Sequence, residues 1–170
     1  NRRNTLSVDR LSIDGSFAPA ILMVNDNHLS LTNSTIINAG ASNIEIMDRN
    51  TVIIENTTMT NSGDEGINMN DNNVISFINS RLDGATDDGF DIGTGNVLTI
   101  AGSTFSGVFG DDLFDFDGVG NQLTQGSTGN TNAGAIIGDR LCNAPGVGAF
   151  TGTIGFEGGP ALLDNQPPCN

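Results

Sequence analysis

The stretch Asn43–Glu65, NIEIMDRNTVIIENTTMTNSGDE, and the one after it, Gly66–Asp88, GINMNDNNVISFINSRLDGATDD, match each other column by column. Apolar residues fall at Ile44 and Ile46, Val52 and Ile54, and Met59 in the first copy. In the second they fall at Ile67 and Met69, Ile75 and Phe77, and Leu82. Apolar residues two apart mark a strand with one buried face, and three such segments in about 23 residues leave no room for helical periodicity. The pattern continues in both directions. Ile21–Ser42 precedes it, Gly89–Asp112 and Leu113–Gly134 follow, and a shorter copy, TLSVDRLSIDGSFAPA, runs ahead of them all. Stacking the blocks predicts inward columns Leu22, Ile44, Ile67, Phe90, Phe114 and Val24, Ile46, Met69, Ile92, Phe116. Between them Met23, Glu45, Asn68, Asp91 and Asp115 face solvent. Further inward positions are Leu29 and Leu31, Leu98 and Ile100, and the column Ile36, Met59, Leu82, Phe105.

Composition narrows the chemistry. The chain has 170 residues and a net charge of −14, from 20 acids against six cations, all of them arginine. Nucleic acid and anionic lipid need clustered cations, so neither is expected as a partner. The absence of lysine removes Schiff-base chemistry, and His28 is the only histidine. No apolar run approaches the ~20 residues of a membrane span, so membrane insertion of this segment is not expected either.

Two polar columns follow the same repeat. Asn33, Asn56 and Asn79 recur at 23-residue spacing and continue as Gly102 and Gly126. Asn and Gly tolerate a left-handed bend, so the column is expected at a tight turn, with its amides stacked in a hydrogen-bonded ladder inside it. Asn33-Ser34-Thr35 and Asn56-Thr57-Thr58 also read as glycosylation sequons, but the continuation as plain Gly favours the turn. The other column is acidic: Asp64-Glu65, Asp87-Asp88 and Asp111-Asp112 close successive blocks, and Asp91, Asp115 and Asp117 follow shortly after. Two like charges ~5 Å apart in water repel by ~0.8 kcal/mol, and by more where hydration is poorer. Calcium, which takes flexible carboxylate and carbonyl oxygens, would relieve such an edge, with Asp87, Asp88, Asp111, Asp112 and Asp115 as the expected ligands. The competing reading is a solvated acidic turn. No other cofactor is expected.

These stacked blocks resemble the right-handed parallel β-helix of the pectate-lyase-like superfamily, whose members include bacterial autotransporter passengers and surface adhesins. The resemblance covers roughly Thr5 to Gly134 and implies an all-β solenoid of about six coils. Residues 1–134 form the coils and residues 135–170, where the columns vanish, form a β-rich cap. The only two cysteines, Cys142 and Cys169, lie in that tail. They are expected to close it as a disulfide, which places the chain in an oxidising, secreted or cell-surface setting, rather than to stand as two thiols. Many β-helices of this superfamily cleave acidic polysaccharides, and Asp88 with Asp111 or Asp112 would be the carboxylates for that alternative. The superfamily's Gly-His-Gly and Arg-x-Lys patterns are missing, as are Trp and Tyr for sugar platforms. The reading therefore favours a non-catalytic adhesive or structural module, a filament subunit or a piece of a larger surface protein. Its partners would be a further copy stacked end to end or a host or cell-surface ligand.

Overall fold

The computed structural model describes residues 3–109, 113–118, 120–125, 130–132, 142–143 and 156–157. Three parallel sheets run the length of the molecule. The first holds Thr5–Asp9, His28–Thr32, Thr51–Glu55, Val74–Ile78, Val97–Ala101 and Gln122–Gln125 in that order. The second runs from Ser12–Ser16 through Thr35–Ala39, Thr58–Ser62, Arg81–Ala85 and Thr104–Phe109 to Asn130–Asn132 and Phe156–Glu157. The third is made of three-residue strands, Ile21–Met23, Ile44–Ile46, Ile67–Met69, Phe90–Ile92 and Phe114–Phe116, and ends on Cys142–Asn143. Each rung contributes one strand to each sheet, so every strand pairs with its counterpart one rung away. Thr5, His28, Thr51, Val74 and Val97 stand in register at intervals of 23 residues. The chain is an all-β parallel solenoid of about five such turns, extended by the later strands.

The core is the interior of the tube. Leu29, Leu31, Val52, Ile54, Ile75, Phe77, Leu98 and Ile100 come from the first sheet, and Ile36, Met59, Leu82 and Phe105 from the second, all buried. The third sheet adds Ile44, Ile46, Ile67, Met69, Phe90, Ile92, Phe114 and Phe116. Phenylalanines fill the later rungs, with Phe90 and Phe114 stacked at 5.1 Å and Phe77 and Phe105 at 5.9 Å.

The first rung departs from the expected phase by one residue. Ile21 pairs with Ile44 and Met23 with Ile46, so Leu22 stands opposite Glu45 on the outer face. Leu22 and Val24 are 53% and 57% exposed, whereas Met23 is 7% exposed. The run ILMV has no polar residue to set its phase, and the register comes instead from the 23-residue step back from Ile44.

Two of the three corners carry polar ladders. Between the first and second sheets the chain turns on two residues. Asn33, Asn56 and Asn79 take φ of +50°, +51° and +47°, and Gly102 +58°, as a left-handed bend requires. Their side chains are exposed, outside the turn rather than in an internal amide ladder. The ladder belongs to the residues that follow. The N–H of Leu11, Ser34, Thr57 and Ser80 donates to the hydroxyl of Ser34, Thr57, Ser80 and Ser103 respectively, at 3.0–3.3 Å. The hydroxyls of Ser34, Thr57 and Ser80 donate in turn to the carbonyls of Thr32, Glu55 and Ile78. Between the third and first sheets lies the amide ladder proper. The N–H of Asn27, Asn50, Asn73 and Asn96 donates to Oδ1 of Asn50, Asn73, Asn96 and Asn121 at 2.8–2.9 Å.

Of the expected cap, Cys142–Asn143 pairs with Asp115–Phe116 of the third sheet, and Phe156–Glu157 with Asn130–Thr131 of the second. The rest of the cap, Cys169 with it, lies outside the described residues, and so does the expected Cys142–Cys169 pairing.

Candidate functional site: the acidic third face

The third sheet turns alternate residues outward, and its short strands keep them close to the corners on either side. Its outer column reads Leu22, Glu45, Asn68, Asp91 and Asp115, with Asp91 paired in register to Asn68 on one side and Asp115 on the other. Neighbouring strands lie ~4.8 Å apart, so Asp91 and Asp115 are one strand spacing from each other. Asn68 Nδ2 donates to Asp91 Oδ2 at 3.2 Å. The corner entering this sheet carries Asp64, Glu65, Asp87 and Asp88, and the corner leaving it carries Asp48, Asp71 and Asp117. A groove of about 300 Å³ runs beside the sheet on the leaving side, lined by Asp48, Asn68, Asp71, Asp91 and Asp117 among others.

The electrostatics follow from this crowding. Asp91 is half-buried at the centre of the face, and its carboxyl is pushed up to about 7. Burial is the largest cause, followed by the charges of Asp117, Glu65, Asp115 and Asp87. Asp64 is raised too, by partial burial first and then by Glu65 and Asp87. Both shifts have the sign expected when carboxylates crowd without a cation between them.

The structure gathers some of the expected ligands and separates others. Asp64, Glu65 and Asp87 each offer a carboxylate oxygen, and these oxygens all lie within 4.8 Å of one another. Ser42 Oγ donates to Glu65 Oε2 at 2.8 Å, which fixes that side chain from the rung before. Asp87 is exposed, but its neighbour Asp88 is only 7% exposed. Asp115 stands on the sheet beside Asp91. Asp111 and Asp112 lie outside the described residues. An oxygen-only set on two adjacent turns, with Gly63 and Gly66 beside it, suits a hard cation such as calcium. Asp91 is the residue that sequence reasoning undervalued. Its signal was its place in the outward column, midway between two acidic corners.

With this architecture in view, the family match is direct: residues 4–142 fit the right-handed beta helix region. The chain belongs to the right-handed β-helix family. No curated protein and no solved structure shows a match. In this β-helix the third face sets Glu45, Asn68, Asp91 and Asp115 on short strands and the other acids on the tight corners at either side, rather than on long loops. Among the described residues no helix is long and apolar enough to cross a membrane.

Proposed function

We propose that this β-helix is a non-catalytic extracellular module, adhesive or structural, that continues its stack at the first rung and holds calcium on its third face. The observation that carries the reading is the apolar surface of the first rung. Thr5–Asp9, Ser12–Ser16 and Ile21–Met23 are the terminal strands of all three sheets. Leu6, the counterpart of buried Leu29, is 55% exposed, and Phe17 is fully exposed on the adjoining corner. Val8, Ile13 and Ile21 are only partly covered, although their counterparts Leu31, Ile36 and Ile44 are buried. A sheet edge joined to an apolar surface takes up a further strand set readily, because backbone hydrogen bonds and side-chain burial are gained together. A further rung of the same kind satisfies both, whether it comes from a longer chain or from a second copy stacked end to end. A secreted or cell-surface location rests on the cysteine pairing expected from the sequence. Sedimentation analysis over a wide concentration range tests self-association: the chain should assemble, and Phe17→Asp should shift it toward monomer. A chain that stays monomeric throughout removes the filament reading.

Asp91 favours a second reading, hydrolysis of a polysaccharide on the third face. A carboxyl that keeps its proton to about 7 beside Asp115 and Asp117 supplies an acid and a base on one surface, as glycosidases require. Turnover of uronate or neutral glycans that disappears in Asp91→Asn would support it. A panel without turnover removes it.

A further inference from the structure

The only histidine and two of the six arginines meet at the corner between the third and first sheets, on its first-sheet side and toward the first rungs. Arg3, Asp26 and Arg49 occupy equivalent positions 23 residues apart, so their side chains stack on successive rungs. Arg49 Nε and Nη2 donate to Oδ1 and Oδ2 of Asp26 at 3.0 and 3.1 Å, a two-pronged contact that holds the guanidinium in a fixed orientation. The Asp26 side chain is only 17% exposed. Its carboxyl is held below the usual range chiefly by the bond to Arg49, with Arg3 adding to the effect through its charge. Arg49 is thus bonded to this carboxylate, and Arg3 acts on it through charge alone. Two residues further along each rung, Thr5, His28 and Thr51 stand in register on the outer face of the first sheet. The two columns together line a pocket of about 330 Å³.

Among the residues lining the pocket, Asp26 is the one carboxylate, beside the two guanidinium groups of Arg3 and Arg49. Arg10 and Arg81 each bridge to a nearby acid, Asp9 and Asp83, as Arg49 does to Asp26. The remaining acid near Arg49 is Asp48, 3.9 Å from Nη1, and it lines the groove of the third face rather than this pocket. We infer that the pocket formed by Arg3, His28, Arg49, Thr5 and Thr51 binds an oxyanion: the carboxylate, sulfate or phosphate group of a sugar-sized ligand. The planar fork of Arg3 matches such groups, Arg49 adds its charge while its own fork stays on Asp26, and the threonine hydroxyls and the imidazole supply further hydrogen bonds. The volume lies at the lower end of small-molecule pockets, which start at ~300 Å³. The net charge of −14 opposes an anion at long range, but screening at physiological salt limits that field to ~8 Å, so the local set decides affinity. This site does not depend on the calcium and hydrolysis readings above, and its Arg3 and Thr5 lie on the terminal rung beside which the stacking reading places a further one.

His28 gives the test a clean reporter, because its imidazole carbon-bound proton resonance is the only one of its kind in the chain. The protein is titrated with inorganic sulfate, inorganic phosphate and galacturonate, each at fixed pH and at ionic strength held constant with chloride. The expected result is a saturable shift of the His28 resonance with at least one of them, and the ligand that saturates at the lowest concentration identifies the source of the oxyanion. Arg3→Gln should weaken binding about tenfold, the size of one charge-assisted hydrogen bond, and Arg49→Lys, which keeps the charge but loses the fork that holds it on Asp26, should weaken it too. Arg81→Gln should change nothing. Linear, unsaturable shifts with all three anions would overturn the inference, as would equal affinity in the Arg3→Gln protein. Since Arg3 is exposed, that variant keeps the test decisive even if Arg49 variants fold poorly.

Discussion

The backbone N–H of Asn73 donates to Oδ1 of Asn96 at 2.8 Å, while Oδ1 of Asn73 accepts from the N–H of Asn50 at the same distance. One side chain therefore satisfies a buried donor on the rung before it, at a corner where no sheet bond is available. Asn73→Ala leaves the Asn50 N–H without its acceptor and should cost about 1–3 kcal/mol, less what is recovered by removing Asn73 Nδ2, which is buried without a partner among the described residues. Asn79 is also an Asn on the repeat, but it is exposed and serves only its own bend at φ +47°. Asn79→Ala should cost about 1 kcal/mol, because alanine lacks the short polar side chain that makes Asn tolerant of a left-handed backbone, and Asn79→Gly close to nothing. Urea unfolding of the three variants ranks them. If Asn79→Ala proves the most costly, the assignment of the two columns is reversed.

The phase of the first rung is open to a similar comparison. Met23 is buried under Ile46, and Leu22 lies on the outer face opposite Glu45. Met23→Ser should destabilise by about 2 kcal/mol, the low end for losing a buried methionine, because the rung is terminal. Leu22→Ser should stay within about 0.5 kcal/mol of the parent, as surface changes do. Equal losses at the two positions would mean that the strand is not fixed in this register.

These two comparisons also mark where the sequence could be read. Ile44, Ile67 and Phe90 alternate with Glu45, Asn68 and Asp91, so polarity itself sets the phase and the inward columns follow. In Ile21–Val24 every residue is apolar, and only the pairing with the next rung sets the phase. Asn33, Asn56 and Asn79 stand out because each opens a short Asn-Ser or Asn-Thr turn. Asn50, Asn73 and Asn96 are hidden in runs such as DRN, DNN and TGN, which look like ordinary turn composition, and only their constant spacing separates them. The acidic edge was legible as a column. The alternation at its corners was not: Asp87 faces out and Asp88 is buried, because each corner residue follows the local backbone rather than a period of two.

The carboxylate cluster at Asp64, Glu65 and Asp87 makes two opposite demands on a variant. Without a cation the three oxygens, all within 4.8 Å, repel one another, so Asp87→Asn should raise the melting temperature in chelator. With a cation the same change removes a ligand, so the rise produced by millimolar Ca²⁺ should shrink. For the parent, calcium at ten times its dissociation constant contributes about 1.4 kcal/mol. That corresponds to about 3–5 °C for a domain of this size. Melting curves with and without calcium, for parent and Asp87→Asn, check both demands. Identical curves for the parent in chelator and in calcium would dispose of the cation site.

Asp91 makes the stability of the β-helix depend on pH in a predictable direction. Its folded carboxyl is pushed up to about 7, chiefly by burial and then by Asp117, against ~3.9 for an unfolded aspartate. Between those values the folded chain binds more protons than the unfolded one, so stability falls as pH rises from about 4 to about 7 and is level above. Asp91→Asn removes the titration while keeping a hydrogen-bonding side chain beside Asn68. It should match the parent near pH 4 and exceed it at pH 8 by on the order of 1–2 kcal/mol, less than the full shift implies because solvent reaches the group. Denaturant unfolding of both proteins at several pH values from 4 to 8 gives the difference directly. A difference that stays constant across that range would show that Asp91 ionises as an ordinary surface acid, and the acid–base reading of the third face would lose the proton on which it depends.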